Sequence, residues 1–122
     1  MADFNLVVLY VEDAQASSTF YQTLLERPVA QSSPKFVVLP LGSGVMLGLW
    51  QRDAVAPPSA SQPGCSEISW TVANAEAVRA TYETWTTRGV RIAQPPTAMP
   101  FGDTFVALDP DGHRLRVLAP AA

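Results

Sequence analysis

The sequence predicts an α+β fold made of two consecutive β-α-β-β-β modules. An internal repeat is the strongest observation: residues 6–29 align without a gap with residues 67–90, and Val11 and Val72 are among the identical pairs. Each copy also starts with an alternating apolar strand and continues into an apolar stripe at helical spacing. Because an internal repeat defines an architecture, equivalent positions in the two copies should occupy equivalent places in the fold.

The first module reads as a strand, a helix and three further strands. Asp13 is a suitable N-cap, and Ala16, Phe20 and Leu24 follow at helical spacing until Pro28 ends the segment. A Gly-Ser-Gly turn joins the last two strands. The predicted strands are residues 6–11, 29–30, 35–41 and 45–50.

The second module repeats this order. Asn74 is the expected N-cap, and Val78, Tyr82 and Trp85 form the apolar face of the helix. A proline-containing loop is expected after the second strand, and an Asp-Pro-Asp-Gly turn before the last. The predicted strands are residues 68–72, 90–93, 104–108 and 114–118. The whole chain is expected to form one domain, with module one at 1–56, a linker at 57–64 and module two at 65–122.

Composition narrows the possible functions. A chain of 122 residues with a net charge of −3 has no basic surface for nucleic acid or an anionic membrane. The N-terminal sequence lacks signal-peptide features, and no apolar run approaches the ~20 residues of a membrane span, so we expect a cytoplasmic protein. The single cysteine, Cys65, has no cysteine partner for a disulfide or a metal site.

The two modules, their Val-Glu-Asp and Val-Ala-Asn corners and the turn at residues 109–113 resemble the vicinal oxygen chelate superfamily. This superfamily includes glyoxalases, extradiol dioxygenases, fosfomycin-modifying enzymes and bleomycin-binding proteins. The resemblance implies a cup of strands with the helices outside and a small-molecule ligand in the cup. It also implies a homodimer, in which modules can pair across chains.

The same resemblance implies four positions at which metal-using members hold their ion. In this sequence they are Leu6, Gly48, Glu67 and Arg116. Only Glu67 could ligate a cation, because leucine and glycine offer no side-chain donor and an arginine would repel the ion. We therefore expect neither a metal nor another cofactor.

Further segments resemble the phenazine-antibiotic (griseoluteate-type) resistance proteins within this superfamily. They include residues 34–37, 46–50, 66–68, 101–105 and 109–117. This resemblance implies metal-independent binding and sequestration of a planar aromatic molecule. The alternatives are an enzyme of the same superfamily, such as a lyase, isomerase or dioxygenase with an atypical metal site, and a scaffold that binds nothing.

Strand alternation selects the candidate ligand-binding residues of the first module. It places Tyr10, Gly48 and Trp50 on the face opposite the helix. Trp50 could stack on a planar ligand, in open space left beside it by Gly48, or could simply fill the core. Tyr10 could donate from its hydroxyl or only pack.

In the second module the same rule points Glu67 and Arg116 to the face opposite the helix, where an ion pair is the simplest arrangement. The pair could be structural or could bind a ligand carboxylate through the arginine. Phe101 and Phe105 could form an aromatic flap or belong to the core. Trp70 is expected to pack under its helix, and His113 to be solvated in its turn.

Overall fold

The computed structural model describes residue 2 and residues 4–121, and it divides between Pro63 and Gly64 into two compact units. Each unit has the predicted order β-α-β-β-β. The predicted module bounds at residues 1 and 122 lie outside the described residues. The first unit contains β1 (Leu6–Val11), α1 (Ala14–Leu25), β2 (Gln31–Ser33), β3 (Phe36–Gly42), β4 (Val45–Gln51) and a 3-10 turn (Arg52–Ala54). The second contains β5 (Glu67–Thr71), α2 (Ala75–Thr87), β6 (Arg91–Met99), β7 (Gly102–Leu108) and β8 (Arg114–Pro120).

Each unit forms one four-stranded mixed sheet, and the two sheets have the same topology. The strand orders are β1-β4-β3-β2 and β5-β8-β7-β6. In both, the first and last strands of the unit pair in parallel and the remaining pairs are antiparallel. The repeated sequence therefore specifies a repeated topology.

One face of the first sheet is buried beneath α1. Its side chains come from alternate positions of three strands and are at most 2% exposed: Leu9, Val11, Val37, Leu39, Leu47 and Leu49. Asp13 caps the helix as predicted, because its carboxylate accepts from the backbone N–H groups of Gln15 and Ala16. Of the residues at helical spacing Ala16 is exposed, and the buried face contains Ala14, Ser17, Ser18, Tyr21 and Leu24.

The second sheet is covered by α2 in the same manner. Asn74 accepts from the N–H of Ala77 at 2.9 Å and caps the helix as predicted. The ring of Trp70 meets that of Trp85 edge to face, with centroids 5.8 Å apart, which confirms that Trp70 packs under the helix. Phe105 lies on this face as well and contacts Trp85 and Tyr82.

Two strand predictions need correction. Residues 29–30 precede β2 instead of forming it, and the predicted loop through Pro95 and Pro96 is part of β6. Proline has no N–H for a sheet hydrogen bond and is tolerated at sheet edges and bulges. Strand β6 meets both conditions, because it lies at the edge of its sheet and its pairing with β7 shifts register twice near these prolines.

Neither α1 nor α2, the two α-helices of the described residues, is long and apolar enough to cross a bilayer.

A matched pair of glycine substitutions tests the tight turn between β6 and β7. Gly102 and Gly44 both have positive φ, so alanine costs about 1–2 kcal/mol of conformational strain at either position. At Gly102 the new methyl group would also collide with the carbonyl oxygen of Ala119 and come within 2.9 Å of the Ala121 nitrogen, whereas nothing lies within 4 Å at Gly44. Urea unfolding should show that Gly102→Ala loses roughly 1–3 kcal/mol more than Gly44→Ala. Equal losses would contradict this packing.

Candidate ligand-binding site

The face of the first sheet opposite α1 carries a row of three aromatic residues. Tyr10 on β1 is paired with Trp50 on β4, which is paired on its other side with Phe36 on β3. Directly paired residues point to the same face of a sheet, so the three rings lie side by side. The next row contains Val8 and Gly48.

Trp50 is held between its two aromatic neighbours. Its ring centroid lies 6.3 Å from that of Tyr10 and 5.7 Å from that of Phe36, with interplanar angles of 80° and 74°. Edge-to-face contacts of this kind bring the positive edge of one ring to the negative face of another. The indole is therefore oriented before any ligand arrives.

An open hollow of about 400 Å³ lies beside Trp50, and we refer to it as the apolar depression. It is lined by Leu6, Val8, Phe36 and Trp50, which offer an entirely apolar surface. Leu6 is 43% exposed, so the depression is open to solvent on this side. Its volume falls within the range of about 300–1,000 Å³ of small-molecule pockets.

The predicted open space over Gly48 is occupied, which corrects one expectation. A Cβ atom built on Gly48 would lie 3.2 Å from Cε1 and Cζ of Phe36 and 3.3 Å from Cγ2 of Val8. The ring of Phe36 thus lies against the glycine, and the apolar depression opens elsewhere. Gly48 contributes by accommodating this ring and not by leaving a hollow.

Phe36 is the functional candidate that sequence reasoning missed. A usable signal existed, because Phe36 and Trp50 are each seven residues from Ser43 in the turn between β3 and β4. Counting outward from the turn pairs the two residues, as the structure does. Tyr10 packs on Trp50 but does not line the depression, and its role as a hydroxyl donor stays a prediction.

In the second unit, Arg116 and Glu67 form the predicted ion pair. Nε of Arg116 donates to Oε2 of Glu67 at 3.1 Å, and Nη2 donates to Oε1 at 3.4 Å. Nη1 donates to the hydroxyl of the fully buried Thr104, and the hydroxyl of Ser69 donates to Glu67. The side chains of Arg116 and Glu67 are 17% and 37% exposed, so the pair is partly shielded from water.

The protonation of Glu67 reflects two opposed effects. Partial burial acts to raise the pKa of Glu67, whereas hydrogen bonds from Arg116 and Ser69 and the charges of Arg116 and Arg114 act to lower it. The favourable contacts prevail, and the pKa of Glu67 lies below its usual range. Glu67 is therefore a carboxylate at neutral pH.

Phe101 and Phe105 have separate environments. Phe101 is 46% exposed, and the guanidinium carbon of Arg116 lies 5.7 Å from the centroid of its ring. Phe105 is fully buried against α2, so its assignment to a ligand flap is wrong and it belongs to the core, as the alternative prediction had it.

We use the term Arg116 cluster for Arg116, Glu67, Ser69, Thr104 and Phe101.

His113 is buried, and the expectation that it is solvated is wrong. It is 2% exposed, and its two ring nitrogens lie 3.3 and 3.2 Å from the backbone N–H groups of Gly64 and Ser66. Asp109, Asp111 and His113 are the one group of three potential metal ligands among the described residues. Their ligand atoms lie within 4.8 Å of one another. The carboxylate of Asp109 already accepts from the backbone N–H groups of Asp111 and His113, so the group stabilises the turn.

The four positions at which the resemblance implies metal ligands carry no ligand set in either unit. Leu6 and Gly48 have no donor side chain, and both oxygens of Glu67 accept hydrogen bonds from Arg116. A cation at Glu67 would have to displace this arginine and tolerate its charge. The residues at these positions therefore do not fit a catalytic metal, which takes three protein ligands as a rule.

Comparison with known proteins identifies the family through a match over most of the chain. A profile of the glyoxalase/bleomycin resistance protein/dioxygenase superfamily matches residues 3–117. The phenazine antibiotic resistance protein EhpR of Enterobacter agglomerans is 28% identical over 116 residues, which cover 93% of this chain and 88% of EhpR.

Solved structures share the fold. A protein of Agrobacterium tumefaciens, solved by NMR, is 41% identical with a TM-score of 0.88, and each chain covers 100% of the other. A glyoxalase/bleomycin resistance protein/dioxygenase from Nocardioides is 23% identical with a TM-score of 0.85, covering 98% of this chain and 84% of that one. The second likeness concerns the fold alone.

The Glu67–Arg116 pair has a measurable pH signature. NMR titration should give Glu67 a pKa below the usual glutamate range, and Arg116→Met should raise it, because the variant loses two hydrogen bonds and a positive charge. Arg114→Met is the matched control, with a smaller rise, since Arg114 acts only through its charge. Because the folded-state pKa is depressed, Glu67 stabilises the fold above its unfolded pKa, and this contribution disappears as the pH falls through the folded pKa. An unchanged pKa in Arg116→Met would contradict the pairing.

Proposed function

This chain belongs to the glyoxalase/bleomycin resistance protein/dioxygenase superfamily, and within it we propose a protein that binds and sequesters a planar aromatic molecule without transforming it. A phenazine-type antibiotic is the proposed ligand class, and resistance is the proposed outcome. The single observation that carries the proposal is Trp50, which is oriented by Tyr10 and Phe36 beside an apolar depression. The 28% identity to a phenazine resistance protein supports it.

The energetics of such binding favour a rigid apolar wall. Burying ~200 Å² of ligand surface contributes about 5 kcal/mol at ~25 cal/mol per Å². Association opposes this with at least ~4 kcal/mol, so the surplus depends on how little the protein has to reorganise. Trp50 needs little reorganisation on binding, because its neighbours already fix the orientation of its ring. Stacking on the ring adds ~0.5–1.5 kcal/mol beyond the contribution of the buried area.

The Arg116 cluster is proposed as a polar binding surface of the second unit by itself. A guanidinium has five N–H donors, and its bonds to Glu67 and Thr104 use three of them. Among the described residues this leaves one donor on each terminal nitrogen for a ligand carboxylate, while Glu67 can accept from a ligand N–H or O–H. Phe101 would add apolar area beside Arg116.

The proposal also covers assembly and location. A homodimer in the cytoplasm is proposed on the resemblance to the superfamily, and pairing of modules across chains stays a prediction.

The second candidate function, an enzyme with an atypical metal site, has one observation in its favour: the grouping of Asp109, Asp111 and His113. The hydrogen bonds that Asp109 already accepts within its turn weigh against this candidate.

Removal of the indole tests the binding proposal. In calorimetric titrations with phenazine, Trp50→Ala should bind about tenfold more weakly or worse, because it loses both stacking and buried area worth at least ~1.4 kcal/mol. Tryptophan emission of the wild type should be quenched on addition of phenazine.

Trp70→Phe is the matched control, because Trp70 lies on the helix-covered face of the other unit. It should retain both the quenching and the affinity of the wild type. Wild-type emission that is unchanged at near-millimolar phenazine, with no calorimetric signal, would contradict the binding proposal.

Metal content separates the two candidate functions. If binding needs no metal, dialysis against EDTA should leave the phenazine affinity unchanged, and elemental analysis of the purified protein should find metal far below one ion per chain. Stoichiometric zinc, iron or manganese whose removal abolishes binding would instead support the enzyme candidate.

A further inference from the structure

Phe36 occupies a position from which it can set the size of the apolar depression. It is paired directly with Trp50, its ring contacts the indole edge to face, and it is one of the four lining residues. Of the other three, Leu6 and Val8 lie on β1 and Trp50 on β4, so Phe36 is the only one of the lining residues contributed by β3. It therefore forms the β3 side of the hollow.

Gly48 determines where this ring lies. A methyl group on Gly48 would stand 3.2 Å from two ring atoms of Phe36, closer than an ordinary van der Waals contact. If a side chain is added to Gly48, the ring or the strand therefore has to shift by a few tenths of an ångström. The conformation of Gly48 is not the reason for a glycine here, because positive φ is found at six other glycines and not at Gly48.

We propose that Phe36, seated on Gly48, determines how large a planar ring system the apolar depression accepts. This inference rests on the proposed function and adds the residue that selects among planar ligands. Phe36 acts as a specificity-determining residue, and Gly48 acts through it as a positioning residue. Without the ring, the depression would extend over Gly48 toward β3. With a side chain on Gly48, the ring would have to move by a few tenths of an ångström, and the accepted size would change.

Pyrazine, quinoxaline and phenazine are suitable probes, because they share one heterocycle and differ only in having one, two or three fused rings. The quantity to measure is the ratio of quinoxaline to phenazine dissociation constants, obtained by calorimetry. Hydrophobic pockets discriminate small differences in ligand size by about 10–200-fold, so a shift of about tenfold in this ratio is expected. Phe36→Ala should raise this ratio, because phenazine then gains affinity relative to quinoxaline. Gly48→Ala should lower it.

A double-mutant cycle isolates the contact between the two residues. If Gly48 acts through the Phe36 ring, the shift that Gly48→Ala causes in this ratio should be several-fold smaller in the Phe36→Ala background than in the wild type, because the added methyl group no longer meets the ring. Ser32→Ala is the control on the same sheet: Ser32 is exposed and pairs with Val37, on the opposite face. It should not alter the ratio. Phe36→Leu keeps an apolar side chain at this position and tests the role of Phe36 if Phe36→Ala fails to fold.

The outcomes distinguish this inference from the proposed function. Wild-type protein that binds none of the three probes would overturn the proposed function. Wild-type protein that binds phenazine, together with Phe36→Ala and Phe36→Leu variants whose ratios match the wild type, would overturn the role of Phe36 alone. An effect of Gly48→Ala that persists at full size in the Phe36→Ala background would overturn the role of Gly48 as a positioning residue.

Discussion

The burial of one sheet face beneath one helix is the constraint on which the rest of each unit depends. In the first unit, six aliphatic side chains that are at most 2% exposed fill this face. Since successive side chains of a strand point to opposite faces, the residues between them must face the other way. A slip of one residue would exchange the two faces and expose the core, so the register that buries Leu49 also fixes the direction of Trp50.

The same frame carries different chemistry in the two units. Equivalent strands place Leu6 and Val8 on the open face of the first sheet, and Glu67 and Ser69 on that of the second. The first set offers apolar area, which contributes in proportion to what a ligand buries and discriminates by shape. The second offers polar groups whose directions are fixed by hydrogen bonds among Ser69, Glu67 and Arg116. The duplication therefore preserved the backbone plan, while side-chain replacement separated the properties of the two faces.

The sequence predicted those features that depend on local periodicity and failed where partners distant in sequence decide. The helices, their Asp13 and Asn74 caps and the position of Trp70 follow from spacing alone. Pro95 and Pro96 were misassigned because only the position of β6 at a sheet edge, with its shifted register, permits them. His113 was misassigned because the backbone N–H groups that face its ring belong to Gly64 and Ser66, nearly fifty residues earlier. Phe36 was missed because its relation to Trp50 appears only when the two strands are paired by counting outward from Ser43 in their turn.

The Glu67–Arg116 pair shows how a position that could bind a cation becomes unsuitable for one. A carboxylate that already accepts two hydrogen bonds from a guanidinium is electrically compensated, and separating a partly buried pair would leave each charge without its partner. Changing Arg116 alone would free the carboxylate but supply no further ligand, and the equivalent positions of the first unit, Leu6 and Gly48, have no donor side chain. Metal binding at these positions would thus require several replacements in both units. In the first unit, by contrast, Tyr10 and Phe36 already hold the ring of Trp50 in place.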